Sequence, residues 1–300
     1  MSTLVSLPLR MEQPKRVLIV DDDQAVHKLL NTILKSDHCV IESAFTGDEA
    51  LASVSENTYD LVLTDIYMPG MDGLSLLKHI RAAEPQTSVI IMTAQTTPAN
   101  VLESFSNQAF AYISKPFSRT AILDLVANAL STTLEEDDIK ILSATADWVS
   151  LQLRCKLKLA ERLTSFFREF ARDLGPDEQE RIATAFRELL MNAIEHGGKS
   201  DPRQKVDLTY IRTARTLIYV IRDPGDGFSF DELAHAAVSN AENEPFRHVQ
   251  VRDEKGIRPG GFGILMTRNF ADELLYNAKG NEVMFIKYLS GATAADGASA

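Results

Sequence analysis

Three carboxylates follow the ends of two apolar runs in the first half of the sequence. Asp21 and Asp22 come directly after the first run, and Asp65 ends the third. Because the carboxyl ends of parallel strands lie at one edge of an open α/β sheet, we expect these carboxylates to converge. Converging carboxylates repel one another unless a cation joins them, and their oxygen atoms suit Mg²⁺. Thr93 and Lys115 stand at two later strand ends, so this rim predicts a site for a metal-bound phosphoryl group.

The elements that position these residues are short apolar runs alternating with amphipathic stretches over residues 16–130. This alternation indicates βαβ units around a parallel sheet, and the continuous runs are typical of strands covered on both faces. The predicted strands are 16–20, 38–44, 60–65, 88–94 and 111–114. The predicted helices are 24–36, 47–56, 72–83, 98–107 and 118–130. The first half is therefore predicted to be an α/β, doubly wound (βα)5 parallel-sheet domain.

The segments IVDDDQAV, LVLTDIYMPGMDG, IIMTA and YISKPF, in this order and spacing, resemble the receiver domain of two-component response regulators. The resemblance covers about residues 15–132 and implies that an upstream histidine kinase phosphorylates Asp65. The Mg²⁺ ligands it implies are Asp21, Asp22, Asp65 and the backbone carbonyl of Tyr67. The groups it implies as responding to the phosphoryl group are Thr93, Lys115 and Tyr112, the last as the switch aromatic. This chemistry is sensible by itself, because Asp65 is a nucleophile and Lys115 with Mg²⁺ would stabilise charge in transfer.

A predicted helix in the second half carries Glu188, Asn192 and His196 at positions i, i+4 and i+8. This spacing places the three side chains near one face, while the other face is apolar. A carboxylate one turn from an amide could orient a water beside a metal-bound phosphate. Further on, Asp223 directly follows a predicted strand and could accept a hydrogen bond from an exocyclic amine such as adenine N6.

A glycine-rich loop at residues 258–263 precedes the last predicted helix, and helix N-termini favour phosphate. The three boxes in this order resemble the gyrase and histidine-kinase ATPase superfamily over about residues 139–290. The resemblance implies that Glu188 is the catalytic base and that Asn192 binds Mg²⁺. The residues expected to contact or frame ATP are Asn192, His196, Asp223, Gly225, Gly227, Gly261 and Gly263. The sequence contains no Walker-type phosphate loop.

The function expected of the second half depends on which branch of this superfamily the sequence resembles. None of the six histidines lies between residues 80 and 195, where a histidine kinase would need its own phosphoacceptor. The last box, GFGILMTRNFADE, is similar to that of bacterial anti-sigma factor kinases, which bind a sigma factor and phosphorylate a serine on an anti-anti-sigma protein. The resemblance therefore implies an ATP-dependent serine/threonine kinase in a partner-switching pathway. Two alternatives remain open, namely a module that binds ATP and only sequesters a partner, and a histidine kinase acting in trans.

The second half reads as an α+β two-layer sandwich. Its predicted elements are a short strand at IKILSA, helices at 147–173, 177–196 and 262–272, and strands at 205–212, 216–223, 273–278 and 282–289. We expect the helix at 147–173 to supply core residues or a homodimer interface, because it is rich in leucine and phenylalanine. A break at Gly175-Pro176 separates it from the next helix.

Length and composition bound these expectations. A chain of 300 residues with 45% hydrophobic and 24% charged residues favours two globular domains and excludes a disordered chain. The net charge of −11 argues against nucleic acid as a partner, and the two distant cysteines give no metal or disulfide spacing. Without an apolar run of roughly 20 residues or a signal peptide, we expect a cytoplasmic protein with no membrane contact. The predicted domain plan is a flexible N-terminus (1–15), receiver domain (16–132), acidic linker (133–138), ATPase domain (139–290) and disordered tail (291–300).

Overall fold

The computed structural model describes residues 14–36, 38–132, 135, 138–227 and 263–289. The contacts group the chain into two compact units. The first unit comprises the residues up to 94 together with 115–132, and the second comprises residues 95–114 and those from 133 onward. The predicted C-terminal tail, most of the predicted N-terminal tail and most of the acidic linker lie outside the described residues.

A five-stranded sheet with strand order β2-β1-β3-β4-β5 organises the first half of the sequence. Its strands are β1 (Lys15–Val20), β2 (Cys39–Ala44), β3 (Leu61–Asp65), β4 (Ser88–Thr93) and β5 (Ala111–Ser114). The pairs β1–β2, β1–β3 and β3–β4 are parallel. Every residue of β3 and β4 is buried, which explains why these strands read as unbroken apolar runs. The predicted doubly wound parallel fold is confirmed.

Five helices alternate with these strands, each beginning beside a side-chain cap. They are α1 (Gln24–Leu34), α2 (Gly47–Glu56), α3 (Gly73–Ala83), α4 (Pro98–Ser106) and α5 (Arg119–Ser131). The capping side chains, each accepting a backbone N–H of the first turn, are Asp23, Thr46, Asp72, Thr97 and Ser118. These caps set the residue at which each helix begins, and so they set the ends of the loops that carry the acidic residues.

A six-stranded antiparallel sheet with order β10-β11-β9-β8-β7-β6 organises the second half. Its strands are β6 (Ile139–Thr145), β7 (Trp148–Arg154), β8 (Lys205–Arg212), β9 (Thr216–Arg222), β10 (Glu273–Tyr276) and β11 (Glu282–Tyr288). Alternate residues along β7, β8 and β9 are buried, as expected for a sheet with one covered face. The predicted combination of an antiparallel sheet with helices is confirmed.

The prediction of one helix over residues 147–173 is wrong in its first part. Residues 148–154 form strand β7, which pairs with β6 and β8, and the helix α6 covers only Leu157–Glu169. The sequence WVSLQLR places buried Val149, Leu151 and Leu153 at every second position. That period of two is the signature of a strand, and it outweighs the leucine content that suggested a helix.

Two further α-helices lie among the described residues of the second unit. Helix α7 (Pro176–Asn192) starts after Gly175, whose φ of +86° ends the preceding segment at the predicted Gly-Pro break. Beyond α7 the chain continues in a π-helical turn, Ala193–Gly197, and a later helix α8 spans Gly263–Phe270. Helix α7 packs against both α6 and α8.

An aromatic cluster forms the core between these helices and the sheet. The ring of Phe167 on α6 lies 4.8 Å from the ring of Phe186 on α7, measured between centroids. The same ring contacts Phe170, Tyr210 and Tyr219 at centroid distances of 5.7, 5.7 and 5.8 Å. This cluster holds α6, α7, β8 and β9 together, and it accounts for part of the leucine- and phenylalanine-rich stretch seen in the sequence. Within the described ranges, no helix is both long and apolar enough to cross a membrane.

Candidate functional site

The three acidic residues predicted at the strand ends converge in the first unit. Carboxylate oxygens of Asp21, Asp22 and Asp65 all lie within 4.8 Å of one another. Asp21 is fully buried and Asp65 is 8% exposed, whereas Asp22 is exposed. Oxygen ligands gathered at this spacing, with one side open to solvent, fit a hard divalent cation such as Mg²⁺.

Backbone amides orient two of these carboxylates. Asp21 Oδ1 accepts the N–H of Asp23 at 3.0 Å, and Asp65 Oδ1 accepts the N–H of Ile66 at 2.6 Å. Each carboxylate therefore directs its second oxygen, Oδ2, toward the ammonium of Lys115. The distances from Lys115 Nζ are 2.6 Å to Asp21 and 2.7 Å to Asp65. The lysine thus joins the two acids that leave β1 and β3.

The electrostatics of the cluster leave an excess of negative charge. Burial raises the pKa of the Asp21 carboxyl, and the hydrogen bonds from Lys115 and from the Asp23 amide act in the opposite direction. Burial alone would lower the pKa of Lys115, but the hydrogen bonds to Asp21 and Asp65 outweigh it and the pKa is raised. Lys115 is therefore an ammonium at neutral pH. One ammonium among three carboxylates leaves a site that attracts a divalent cation.

The remaining predicted residues of this half lie at strand ends or beside them. Thr93 is the fully buried last residue of β4, and its carbonyl accepts the backbone N–H of Lys115 at 2.7 Å. Tyr67 follows Asp65 closely, and its backbone N–H lies 3.4 Å from Asp65 Oδ1, while its side chain is 45% exposed. Tyr112 lies on β5, in the second unit, and is buried.

In the second unit, the predicted nucleotide residues of α7 lie at its carboxyl end. Glu188 is half-buried, with 29% of its side chain exposed, and Asn192 is the last residue of the α-helical part. His196 lies in the π-helical turn and is exposed. The opposite face carries buried Leu189, Leu190, Ala193 and Ile194. A π-helical turn at this position is informative, because such turns occur frequently at functional sites.

Asp223 lies against this helix end. Its Oδ1 accepts the backbone N–H of Gly225 at 2.8 Å. Burial raises the pKa of the Asp223 carboxyl, while the Gly225 hydrogen bond and the charge of Lys279 lower it. A carboxylate held by one backbone amide at the end of a strand is a defined acceptor for an amine of a ligand.

Close packing requires glycine at two of the positions around Asp223. A Cβ on Gly197 would lie 2.2 Å from Asp223 Cγ, so the helix end and the aspartate fit only without a side chain there. Gly227 has a φ of +82°, and a Cβ on it would lie 1.8 Å from the carbonyl oxygen of Lys279. Gly263 is the first residue of α8, whereas Gly261 lies outside the described residues.

Two residues that the sequence analysis did not assign to the nucleotide site contact Asp223 and Gly225. Asn281 donates its side-chain amide to the Asp223 carbonyl at 3.0 Å, and its own carbonyl accepts the Asp223 N–H at 2.9 Å. Lys279 Nζ donates to the Gly225 carbonyl at 2.9 Å. The sequence signals a turn at Lys279-Gly280-Asn281 but not its position beside Asp223, since that position depends on the pairing of β9 with β11.

Two family models match separate stretches of the chain. Residues 17–127 match the response regulator receiver domain, and residues 153–287 match the histidine kinase-like ATPase domain.

Among curated proteins, the chain is similar to the DNA-binding transcriptional regulator NtrC of Salmonella typhimurium, with 35% identity over 44% of this chain and 29% of NtrC. It is also similar to the transcriptional regulatory protein ResD of Bacillus subtilis, with 39% identity over 34% of this chain and 42% of ResD. The chain therefore spans less than half the length of each of these two relatives.

Among solved structures, one similar chain is a CheY-like receiver domain protein from Methanospirillum hungatei. It has 33% identity and a TM-score of 0.38, and the match covers 39% of this chain and 94% of that chain.

The acidic cluster lies within the stretch that matches the receiver model, and the Glu188, Asn192 and Asp223 positions lie within the stretch that matches the ATPase model. The chain therefore carries a response regulator receiver domain followed by a histidine-kinase-like ATPase domain.

Proposed function

We propose that this protein is a response regulator in which a histidine kinase phosphorylates Asp65 and thereby controls an ATP-dependent serine/threonine kinase. The substrate we propose is an anti-anti-sigma protein, with the sigma factor as a second partner of the same domain. The observation that carries the first part is the acidic cluster in which Lys115 bonds both Asp21 and Asp65. The observation that carries the second is the placement of Glu188 one turn before Asn192, on the helix whose end contacts Asp223.

At the receiver site, Asp65 acts as the nucleophile. Its carboxylate oxygen attacks the phosphorus of the phosphohistidine, and the bond from phosphorus to the histidine nitrogen breaks. Lys115 stabilises the negative charge that gathers on the transferred group. Asp21, Asp22 and Asp65 would hold Mg²⁺, with the Tyr67 carbonyl as a further ligand, and the ion would supply additional charge stabilisation.

The polypeptide itself connects the phosphorylation site at Asp65 with the second unit, which contains the proposed output domain. Residues 95–114 leave the site just after Thr93 and return to it at Lys115, and the two ends are joined by the Lys115 N–H to Thr93 carbonyl bond. Both flanking residues would respond to a phosphoryl group on Asp65. A rearrangement of either therefore acts on both ends of the 95–114 segment.

This segment packs against α6 within the second unit. Arg162 of α6 is buried and donates to the carbonyls of Ala109 and Phe110 at 2.8 and 3.1 Å. Two turns further along α6, the buried carboxylate of Glu169 accepts the Ser114 hydroxyl at 2.9 Å. Between them, the rings of Phe166 and Phe105 meet edge to face with centroids 5.1 Å apart. Three contacts on one face of a helix make α6 the element through which this segment influences the output domain.

The output domain binds ATP through the pocket around Asp223. The Asp223 carboxylate, oriented by Gly225, accepts a hydrogen bond from the adenine amine, and Asn192 would coordinate the Mg²⁺ of the nucleotide. His196, Gly225, Gly227, Gly261 and Gly263 would frame the nucleotide. The helix dipole at Gly263 favours the phosphates.

Glu188 acts as the general base in transfer. Its carboxylate takes the proton from a serine or threonine hydroxyl of the partner, the hydroxyl oxygen bonds to the γ-phosphorus, and ADP leaves with the bridging oxygen. General base catalysis contributes about 10²–10⁴-fold. Glu188→Gln keeps the shape of the side chain but cannot accept this proton.

The test measures transfer of radiolabel from ATP to the partner captured by the wild-type protein. We expect Glu188→Gln to retain ATP and partner binding but to lose transfer by about 10²-fold or more. Glu180→Gln on the same helix is the matched control, because its carboxylate is exposed and pairs only with Arg168 among the described residues. Full transfer by Glu188→Gln would refute the base assignment. If the wild type binds ATP and partner but transfers nothing, the domain only sequesters its partner. Label on a partner histidine instead of serine or threonine would favour the histidine kinase.

A further inference from the structure

A guanidinium on α7 lies between two carboxylates from different elements. Arg187 Nε donates to Glu161 Oε1 of α6 at 2.9 Å, and a second guanidinium nitrogen of Arg187 donates to the same oxygen. A third nitrogen of Arg187 lies 3.4 Å from Oε1 of Glu188, its neighbour in sequence. We propose that Arg187 is a positioning residue for Glu188 and that Glu161 controls it by holding the guanidinium on the α6 side. This inference rests on the proposed role of Glu188 as the base.

The bond lengths decide which carboxylate holds Arg187. Two of its hydrogen bonds go to Glu161, whereas the single contact with Glu188 is at the long end of hydrogen-bond range. The hydrogen bonds with Glu161 are also the largest cause that raises the pKa of Arg187 above its ordinary value, ahead of the charges of Glu188 and Glu195. Glu188 is therefore left with a weak contact that permits its carboxylate to turn toward a substrate hydroxyl.

Removal of the Glu161 carboxylate changes this balance. Arg187 then keeps its contact with Glu188 at 3.4 Å, and the charge of Glu195 also acts on its guanidinium. A guanidinium that pairs fully with a carboxylate fixes its rotamer and weakens it as a base, because the charged form is stabilised. The three side chains are 38%, 38% and 29% exposed for Arg187, Glu161 and Glu188, so solvent screens the effect. We expect a reduction in kcat of about two- to fivefold, in the range of exposed ion pairs.

Glu161 is placed by the same helix that holds the 95–114 segment. The next residue, Arg162, is the buried side chain that donates to the carbonyls of Ala109 and Phe110. A shift of α6 along α7 therefore changes the Glu161–Arg187 bonds directly. This places the ion pair where a change in the 95–114 segment would reach the base.

The inference itself is tested by the Arg187 Nε–H resonance of the full-length protein, followed by ¹⁵N NMR without nucleotide or partner. In the wild type, Glu188→Gln should leave this resonance nearly unchanged, because Arg187 is bound to Glu161. In the Glu161→Ala background, Glu188→Gln should shift it, because Arg187 has moved to Glu188. An equal response to Glu188→Gln in both backgrounds would overturn the inference. Since this readout needs no catalysis, it stands apart from the proposed function.

The kinetic consequence is tested by phosphate transfer to the captured partner. Glu161→Ala should lower kcat about two- to fivefold with an unchanged KM for ATP, and this loss should vanish when Arg187→Ala is also present. The matched control is Glu180→Ala, which breaks a second α6–α7 ion pair, Arg168–Glu180 at 2.9 Å, and should leave kcat unchanged. An equal loss with and without Arg187 would mean that Glu161 acts by another route. If the resonance shifts as expected but the wild type transfers nothing, the proposed function fails, whereas the change of Arg187 from Glu161 to Glu188 as its partner stands.

Discussion

The contact between Gly197 and Asp223 gives a direct test of the nucleotide pocket through the substitution Gly197→Ala. The added Cβ would lie 2.2 Å from Asp223 Cγ and 2.3 Å from Oδ1, distances at which one group must move. On the other side, a Cβ on Gly225 would lie 2.8 Å from the same Oδ1, so the carboxylate is packed between two glycines. The Cβ of Asp223 would lie only 2.4 Å from the added methyl group, so side-chain rotation cannot relieve the overlap; the backbone must shift and carry the carboxylate away from the position in which it accepts the Gly225 N–H.

The size of the effect follows from the interactions that are lost. Hydrogen bonds to charged groups contribute about 1.5–3 kcal/mol, and the displaced Asp223 loses the bond that orients it toward an adenine amine. At 1.4 kcal/mol for each factor of ten, ATP binding should weaken by about 10- to 150-fold. The fold of the second unit should persist, because the aromatic core around Phe167 does not include this contact.

The assay is calorimetric titration of the full-length protein with ATP and Mg²⁺, alongside circular dichroism to verify folding. Gly175→Ala is the matched control, since a Cβ there meets nothing within 4 Å but the φ of +86° is strained for alanine. It should cost about 1–3 kcal/mol of stability and leave the ATP affinity unchanged. If folded Gly197→Ala binds ATP as tightly as the wild type, Asp223 does not read the nucleotide.

Three further outcomes are expected. With a small phosphodonor and Mg²⁺, the wild type should form one labile acyl phosphate. Asp65→Asn should abolish this acyl phosphate, whereas Asp124→Asn, at an exposed position, should not. Equal labelling of the two variants would contradict the assignment of Asp65 as the phosphorylated residue. Burial raises the pKa of Glu169 above its ordinary value of 4.5. Ionisation of Glu169 therefore costs the folded state no stability below pH 4.5, and the cost grows as the pH rises through the raised pKa. Glu169→Gln, which keeps an acceptor for Ser114, should therefore gain stability over the wild type as the pH rises from about 4 to about 7, measured by urea unfolding; parallel curves would exclude this. Phe167→Ala should lower the free energy of unfolding by about 3–5 kcal/mol, and a loss below about 1 kcal/mol would contradict the packing of the aromatic cluster.

The receiver-type sheet could be predicted from the sequence because its signals are local. Each strand is a continuous apolar run, each helix begins at a capping side chain, and Asp65 and Thr93 end their strands as expected. The convergence of Asp21, Asp22 and Asp65 follows from the topology rule for parallel sheets, so it needed no knowledge of packing.

Strand β7 could have been predicted, but its signal competed with a stronger one. Val149, Leu151 and Leu153 alternate with polar residues, yet the leucine-rich stretch that follows them is helical. Merging the two patterns extended the helix by ten residues, from 157 back to 147. The period of the burial, rather than the content of leucine, separates the strand from the helix.

The contacts made through packing were beyond the reach of the sequence. Arg162 and Glu169 look like ordinary polar positions of an amphipathic helix, yet both are buried against residues of the 95–114 segment. Likewise, Asn281 reaches Asp223 only because β11 pairs with β9. Such partners lie tens of residues apart, and nothing in their local spacing signals the contact.

Control of the output domain by Asp65 is tested most directly by ATP-dependent phosphate transfer with and without beryllofluoride, which occupies a receiver aspartate as a phosphoryl mimic. The comparison uses full-length wild type and Asp65→Asn with the captured partner and saturating ATP. We expect beryllofluoride to raise or to lower the transfer rate of the wild type and to leave the rate of Asp65→Asn unchanged. Identical wild-type rates with and without beryllofluoride, at a concentration that saturates Asp65, would contradict control of the output domain by Asp65.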